Sequence, residues 1–208
     1  MRAVDGVSLA VEPGSFTAVV GPSGSGKTTL LALLGALERP THGDVAFDGR
    51  AVGKFSDAER TRIRRRMGFI FQSFALVPRL SVWENVTYPL IPRGIPRSER
   101  LRRAIELLTA LGLADRLTAR PEELSGGEQQ RVAVARALAG DPDVVIADEP
   151  TSNLDPESAE VIARLLRDRH ARGTVVLVAS HDQRLIAAAG RVYQMARGRI
   201  VDEQATAE

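Results

Sequence analysis

The stretch Gly21-Pro22-Ser23-Gly24-Ser25-Gly26-Lys27-Thr28 limits what this chain can fold into more than any other. It stands between a short apolar run, Phe16 to Val20, that reads as a strand, and a run from Thr29 to Leu37 that reads as a helix. A strand, the pattern Gly-x-x-x-x-Gly-Lys-Ser/Thr and a helix, in that order, form the setting in which a backbone wraps phosphate. Glycines 21, 24 and 26 let the chain curl into a concavity whose N–H groups converge on phosphate oxygens, and the helix aims its positive end at the same anion. Ser23, Ser25 and Thr29 belong to the same cradle. Lys27 is expected to bring a full positive charge to the outer phosphates, and the Thr28 hydroxyl to ligate the magnesium that accompanies them. A plain glycine-rich turn is the bland alternative, but the full motif with both flanks is far more specific than an isolated glycine pattern. The expectation is nucleotide binding.

Composition narrows the class. A chain of 208 residues suffices for a sizeable core in one compact unit. Lys27 and Lys54 are its only lysines, so a pI near 9.5 at a formal charge of only +2 reflects arginine and does not by itself announce a nucleic-acid partner. The absence of cysteine excludes disulfides, thiolate nucleophiles and zinc–cysteine sites. No apolar signal region opens the chain, and runs such as Val175 to Ala179 are far below membrane-spanning length. The expectation is a soluble, cytoplasmic chain that reaches a membrane only through a partner.

Val7 and Leu9 alternate as in a strand, followed by a turn at Glu12-Pro13-Gly14, and Thr41 to Val52 reads as a hairpin turning at Asp48-Gly49. Ser56 with Glu59 forms a capping-box pattern opening a basic helix through Arg66, whose five arginines between 60 and 66 read as a solvated face. Met67 to Phe71 is strand-like and ends at Gln72. The segment Ser73 to Leu80, with Phe74, Leu76 and Val77, is too apolar for a plain exposed loop; it either packs under a neighbouring lobe or forms a docking surface. Leu101, Ile105, Leu108 and Leu111 recur at helical spacing before Gly112, so residues 73–120 read as a helical insertion.

Ser125-Gly126-Gly127-Glu128 opens a helix to Ala139 with a second capping box. A serine and two glycines at a helix N-terminus also make a second anion site, and two such sites in one chain suggest that they meet across a dimer. Asp143 to Ala147 reads as a buried strand delivering Asp148 and Glu149 at its carboxyl end. Neighbouring strand residues face opposite ways, so different tasks are expected: Asp148 as a magnesium ligand through water, Glu149 as the general base for an attacking water. Asp155 with Pro156 opens the next helix after Ser152-Asn153-Leu154. His181 follows the strand Thr174 to Ala179, where ligands of a parallel sheet gather, and reads as a contact either to the terminal phosphate or to the catalytic water. A last hairpin, Val192 to Val201, is expected to lead into a frayed polar tail.

The order of Gly21–Thr28, Gln72, Leu124–Arg131, Val144–Pro150, Ser152–Asp155 and His181 resembles the nucleotide-binding subunit of an ATP-binding cassette transporter over nearly the whole chain. Within that family, Phe71–Val86 and Leu124–Leu138 are similar to the lipoprotein-releasing and macrolide-exporting group. The resemblance implies an α/β fold of the P-loop NTPase type, with a mixed sheet core, an antiparallel β subdomain and a helical insertion subdomain. Residues 1–208 are then a single ATPase domain, its core and β subdomain formed by 1–72 and 121–208, and its helical part 73–120 continuing into the helix 125–139. It implies a head-to-tail dimer in which ATP lies between Gly21–Thr28 of one copy and Ser125, Gly126, Gly127 and Glu128 of the other. It further implies that Gln72 touches the Mg2+, that Ser73–Leu80 receives a helix of a transmembrane permease subunit, and that the chain sits peripherally on the inner face of the cell membrane.

In the family an adenine-stacking aromatic ring usually precedes the region where this chain starts, and none of residues 1–15 is aromatic. Such stacking is worth about 1–3 kcal/mol, so its absence is expected to weaken or broaden nucleotide binding without abolishing the chemistry. Two other readings share the motifs. A DNA-repair or chromosome-organising ATPase commonly inserts a coiled coil or zinc module between the two phosphate sites, and here that interval holds neither heptads nor cysteines. A membrane-associated regulatory switch of the cell-division type shares the apolar 74–80 segment, and that segment does not separate it from a transporter.

Overall fold

The structure is a computed structural model that describes residues 2–152 and 154–205. In chain order it runs through β1 (Phe16–Val20), α1 (Lys27–Leu34), β2 (Ala46–Phe47), β3 (Arg50–Ala51), α2 (Asp57–Arg64), β4 (Met67–Ile70), α3 (Val82–Thr87), α4 (Arg97–Ala110), α5 (Gly126–Leu138), β5 (Val144–Asp148), α6 (Pro156–His170), β6 (Val175–Ala179), α7 (Gln183–Ile186), β7 (Arg191–Ala196) and β8 (Arg199–Ala205). Six strands form one mixed sheet in the order β4-β5-β6-β1-β7-β8, parallel except for β8, and β2 pairs antiparallel with β3 in a separate hairpin.

The sheet is buried on both faces, so its central strands are continuously apolar rather than alternating. Along β5, Val145 and Ala147 face one core and Ile146 the other; along β6, Val176 and Val178 oppose Leu177 and Ala179. α1 covers the second face with Leu30 and Leu31. α5 and α6 cover the first with Val132, Val134, Ile162 and Leu166. Residues between β4 and α5, among them Val82, Val86, Leu90 and Leu108, belong to that same first core. The segment between β4 and α5 and the sheet therefore share one hydrophobic cluster. Both expected capping boxes form, Ser56 with Glu59 and Ser125 with Glu128, and Ser81 is bonded to Glu84 at the start of α3.

Several expectations need correction. Residues 7–11 alternate as expected, with Val7, Leu9 and Val11 partly buried against the second core, but they join no ladder and form no strand. Ile105 lies outside the buried stripe of α4 and is exposed, because the small Ala104 takes the inward position beside Leu108. Residues 202–205 are not frayed: β8 continues through them, paired to β7 from Arg191–Ala205 onward. The remainder of that tail, 206–208, lies outside the described residues, as does Asn153.

Candidate nucleotide site

The loop after β1 owes its shape to two distinct requirements on its glycines. At Gly21 (φ +148°) a Cβ would stand 2.2 Å from the Met195 carbonyl oxygen, and at Gly26 (φ +104°) 2.2 Å from that of Ala3. Backbone therefore passes too close for any side chain at these two positions. Gly24 (φ +75°) meets nothing within 4 Å and needs only the left-handed conformation. No side chain caps α1, whose N-cap is Gly26, and its first turn carries no acid. That end is left to attract an anion. Lys27 is buried and folds back into the curl, its Nζ donating to the carbonyls of Gly21 (2.6 Å) and Pro22 (3.3 Å). Neutral carbonyls are weak partners for an ammonium compared with a phosphate.

Thr28 Oγ1 donates to Asp148 Oδ2 at 2.6 Å. The sheet register arranges this meeting: Val19, Ala179 and Asp148 lie in one row across β1, β6 and β5, so the loop after β1 and the end of β5 reach the same edge. This edge is the carboxyl end of a parallel sheet, where ligands of open α/β folds bind. A cleft of about 840 Å³ opens there, and Ser23, Gly24, Ser25, Gly26, Lys27, Thr28, Thr29, Gln72, Asp148, Glu149 and His181 line it together. Gly21 shapes the loop from behind and does not line the cleft, and neither do Ser125, Gly126, Gly127 and Glu128.

The two carboxylates differ for a reason other than strand alternation. Asp148 ends β5, but Glu149 lies beyond it in a left-handed conformation (φ +48°), its N–H donating to Ala179 O at 2.8 Å. A non-glycine residue held there is strained by about 1–3 kcal/mol, a cost that concentrates at functional positions. The turn brings Glu149 Oε1 to 3.4 Å from His181 Nε2. Both side chains face the cleft that holds Lys27.

Thr151, Asp182 and Arg184 also line the cleft, and sequence reasoning missed them. Asp182 caps α7 and accepts from Arg184 through both the backbone N–H (2.9 Å) and Nε (2.9 Å). Burial opposes its ionisation, but the bonds from Arg184 and Thr151 prevail and hold its carboxyl below the ordinary value. Arg184 Nη1 also donates to Pro156 O at 3.0 Å, joining the turn after β6 to the start of α6. The one available signal was adjacency: Asp182 follows His181 directly.

The start of α5, Ser125 to Glu128, stands apart from the cleft, but α5 is tied to it. Gln130 Nε2 on α5 donates to Pro150 O at 2.9 Å, next to Glu149, and Arg131 Nη1 donates to Ser158 Oγ on α6 at 2.6 Å. Arg136 donates to the carbonyls of Phe74 (2.6 Å) and Ala75, fixing a left-handed pair two residues beyond Gln72. Of the apolar 73–80 segment, Leu76 packs against the main core while Val77 faces solvent. Fully buried Asn85 holds the segment's backbone, accepting from Val77 N–H (2.7 Å) and donating to the carbonyls of Val77 and Leu80 (both 3.0 Å).

The donor set fits a nucleotide-borne magnesium rather than a protein-caged metal. Among the described residues no cluster of three or more His, Cys, Asp or Glu could hold an ion by itself. A hydroxyl and a carboxylate already 2.6 Å apart, with Gln72 on the same cleft, suit an octahedral ion that keeps water and phosphate as its other ligands. Ser25 Oγ is buried in the loop without a partner, a further polar group for which a phosphate would provide one.

Comparison with known proteins agrees with this geometry. The family model described as ABC transporter matches residues 4–152. A lipoprotein-releasing system ATP-binding protein LolD from Nitrobacter hamburgensis is 48% identical over 201 residues, 96% of this chain and 87% of that protein. A macrolide export ATP-binding/permease protein MacB from Hyphomonas neptunium is 46% identical over 213 residues, covering all of this chain and 33% of its own length. The dimeric post-hydrolysis structure of the ATP-binding cassette MJ0796 bound to ADP and Pi superposes with a TM-score of 0.94 at 39% identity, covering 99% of this chain and 91% of that one. By its sequence over most of its length and by its fold, the chain belongs to the ABC transporter family.

Proposed function

We propose that this chain is the ATP-binding and ATP-hydrolysing subunit of a membrane transporter, and that two copies close head to tail around two ATP molecules. The observation that carries this reading is the convergence of the Lys27 loop, the Thr28–Asp148 pair and the Glu149–His181 pair on one cleft. In it, Lys27 leaves the loop carbonyls for the outer phosphates, and the uncapped end of α1 binds the same anion. Thr28, Asp148 and Gln72 would hold the magnesium, which would supply electrostatic stabilisation of the phosphate oxygens. Glu149 orients the attacking water and accepts its proton, with His181 beside it on the terminal phosphate. The adenine has no aromatic partner within residues 1–15.

Ser125 to Glu128 lie outside the cleft, which supports completion of the site by a second copy. The relative LolD is named for a lipoprotein-releasing system and MacB for a combined ATPase and permease. In the described residues of this chain no helix is long and apolar enough to cross a membrane. The names support a transmembrane permease partner; in this proposal it docks at Ser73–Leu80, with the ATPase at the cytoplasmic face. The test is to tag the Glu149→Gln form, solubilise host membranes gently and identify what co-purifies with ATP. A polytopic membrane protein is expected; recovery of nucleic acid alone overturns the transporter reading.

A further inference from the structure

Glu128 places a negative charge at the very helix end that the dimer reading assigns to the phosphates of the partner's ATP. Its two carboxylate oxygens are both committed. Oε2 accepts from the Ser125 N–H at 2.8 Å, closing the capping box, while Oε1 accepts from Arg116 Nε at 3.2 Å. Arg116 comes from the short helical turn Ala114–Arg116 that follows α4, and its guanidinium is about half exposed. The Ser125 amide, then the Ser125 hydroxyl and Arg116, hold the Glu128 carboxyl below its ordinary range against the opposing effect of burial, so the charge is present at neutral pH. An unopposed carboxylate beside a triphosphate repels it, and a guanidinium on its outer oxygen cancels that repulsion.

Resting on the dimer reading above, we infer that Arg116 is a positioning residue for ATP capture: it neutralises Glu128 and keeps its carboxylate turned back on the Ser125 amide, so that the start of α5 can receive the partner's terminal phosphate. The pair is separated by 12 residues and joins the turn after α4 to the start of α5.

The test exploits the chemistry of the box. Glutamine serves at its third helical position as well as glutamate, so Glu128→Gln removes the charge and keeps the cap. In a Glu149→Gln background, ATP is titrated at fixed protein concentration and dimer formation is read by sedimentation. Arg116→Ala is expected to raise the ATP concentration for half-maximal dimer on the order of fivefold, with an unchanged melting curve, and Arg116→Lys to recover part of the loss. Adding Glu128→Gln to Arg116→Ala is expected to restore the parent's ATP requirement. A defect that Glu128→Gln leaves uncorrected, or no defect at all, overturns the inference while the dimer reading stands. Failure of the Glu149→Gln parent itself to dimerise with ATP overturns the dimer reading and the inference with it.

Discussion

Thr28 donates its hydroxyl to Asp148 at 2.6 Å across 120 residues of sequence, and this bond joins the phosphate loop to the end of β5. The same two groups are the proposed holders of the nucleotide's magnesium, which they would ligate directly or through water. Thr28→Ala and Asp148→Asn are each expected to lower kcat/KM for ATP by roughly 10–100-fold. A chelator is expected to abolish hydrolysis in the parent, and steady-state phosphate release measures all three effects.

The loop glycines separate stability from binding. Gly21→Ala drives a Cβ into the Met195 carbonyl and is expected to destabilise the fold by about 2–3 kcal/mol. Gly24→Ala meets open space and carries only the left-handed penalty of about 1 kcal/mol, so its loss should appear mainly in nucleotide affinity. Urea unfolding together with ATP titration checks the contrast.

Much of this site was legible because its signals are local. The phosphate loop, the capping boxes, and the residues at and just past the ends of β5 and β6 are read from spacing within a few residues, whereas the role of Gln72 came only from the resemblance. What escaped depends on distant neighbours. The alternation at Val7, Leu9 and Val11 was visible, but a strand needs a partner to complete its ladder, and none was encoded nearby. Reading α4 from its large residues placed Ile105 inside, where the stripe instead runs through Ala104 and Leu108. The left-handed turn that swings Glu149 into the cleft follows from the packing around β6 and leaves no mark on residue type. Arg136 and Arg184 act through carbonyl contacts that no spacing announces.

Arg136 reaches from α5 to the carbonyls of Phe74 and Ala75, and burial lowers its pKa without depriving it of its proton. Arg136→Met keeps much of the stem and removes the donors. It is expected to cost about 2 kcal/mol and to open the 73–80 segment to protease, which limited digestion followed by mass spectrometry reports.

Asp182 carries a pH dependence whose sign follows from its lowered carboxyl. Because the folded-state value lies below the ordinary 3.8, its contribution is complete above that pH and is lost as the pH falls through the folded-state value. Asp182→Asn is expected to lower the melting midpoint by roughly 2–4 °C near neutrality. The gap to the parent should close at acid pH below the carboxyl's folded-state titration, and melting curves across that range measure it.

In the proposed function Glu149 drives hydrolysis of an ATP held between two copies of this chain. The most direct measurement mixes the Glu149→Gln form with ATP and magnesium, isolates the protein by sedimentation, and identifies the bound nucleotide. A dimer carrying unhydrolysed ATP, one per protomer, is expected. Monomers under saturating ATP, or a dimer that turns ATP over at the parent's rate, would contradict it.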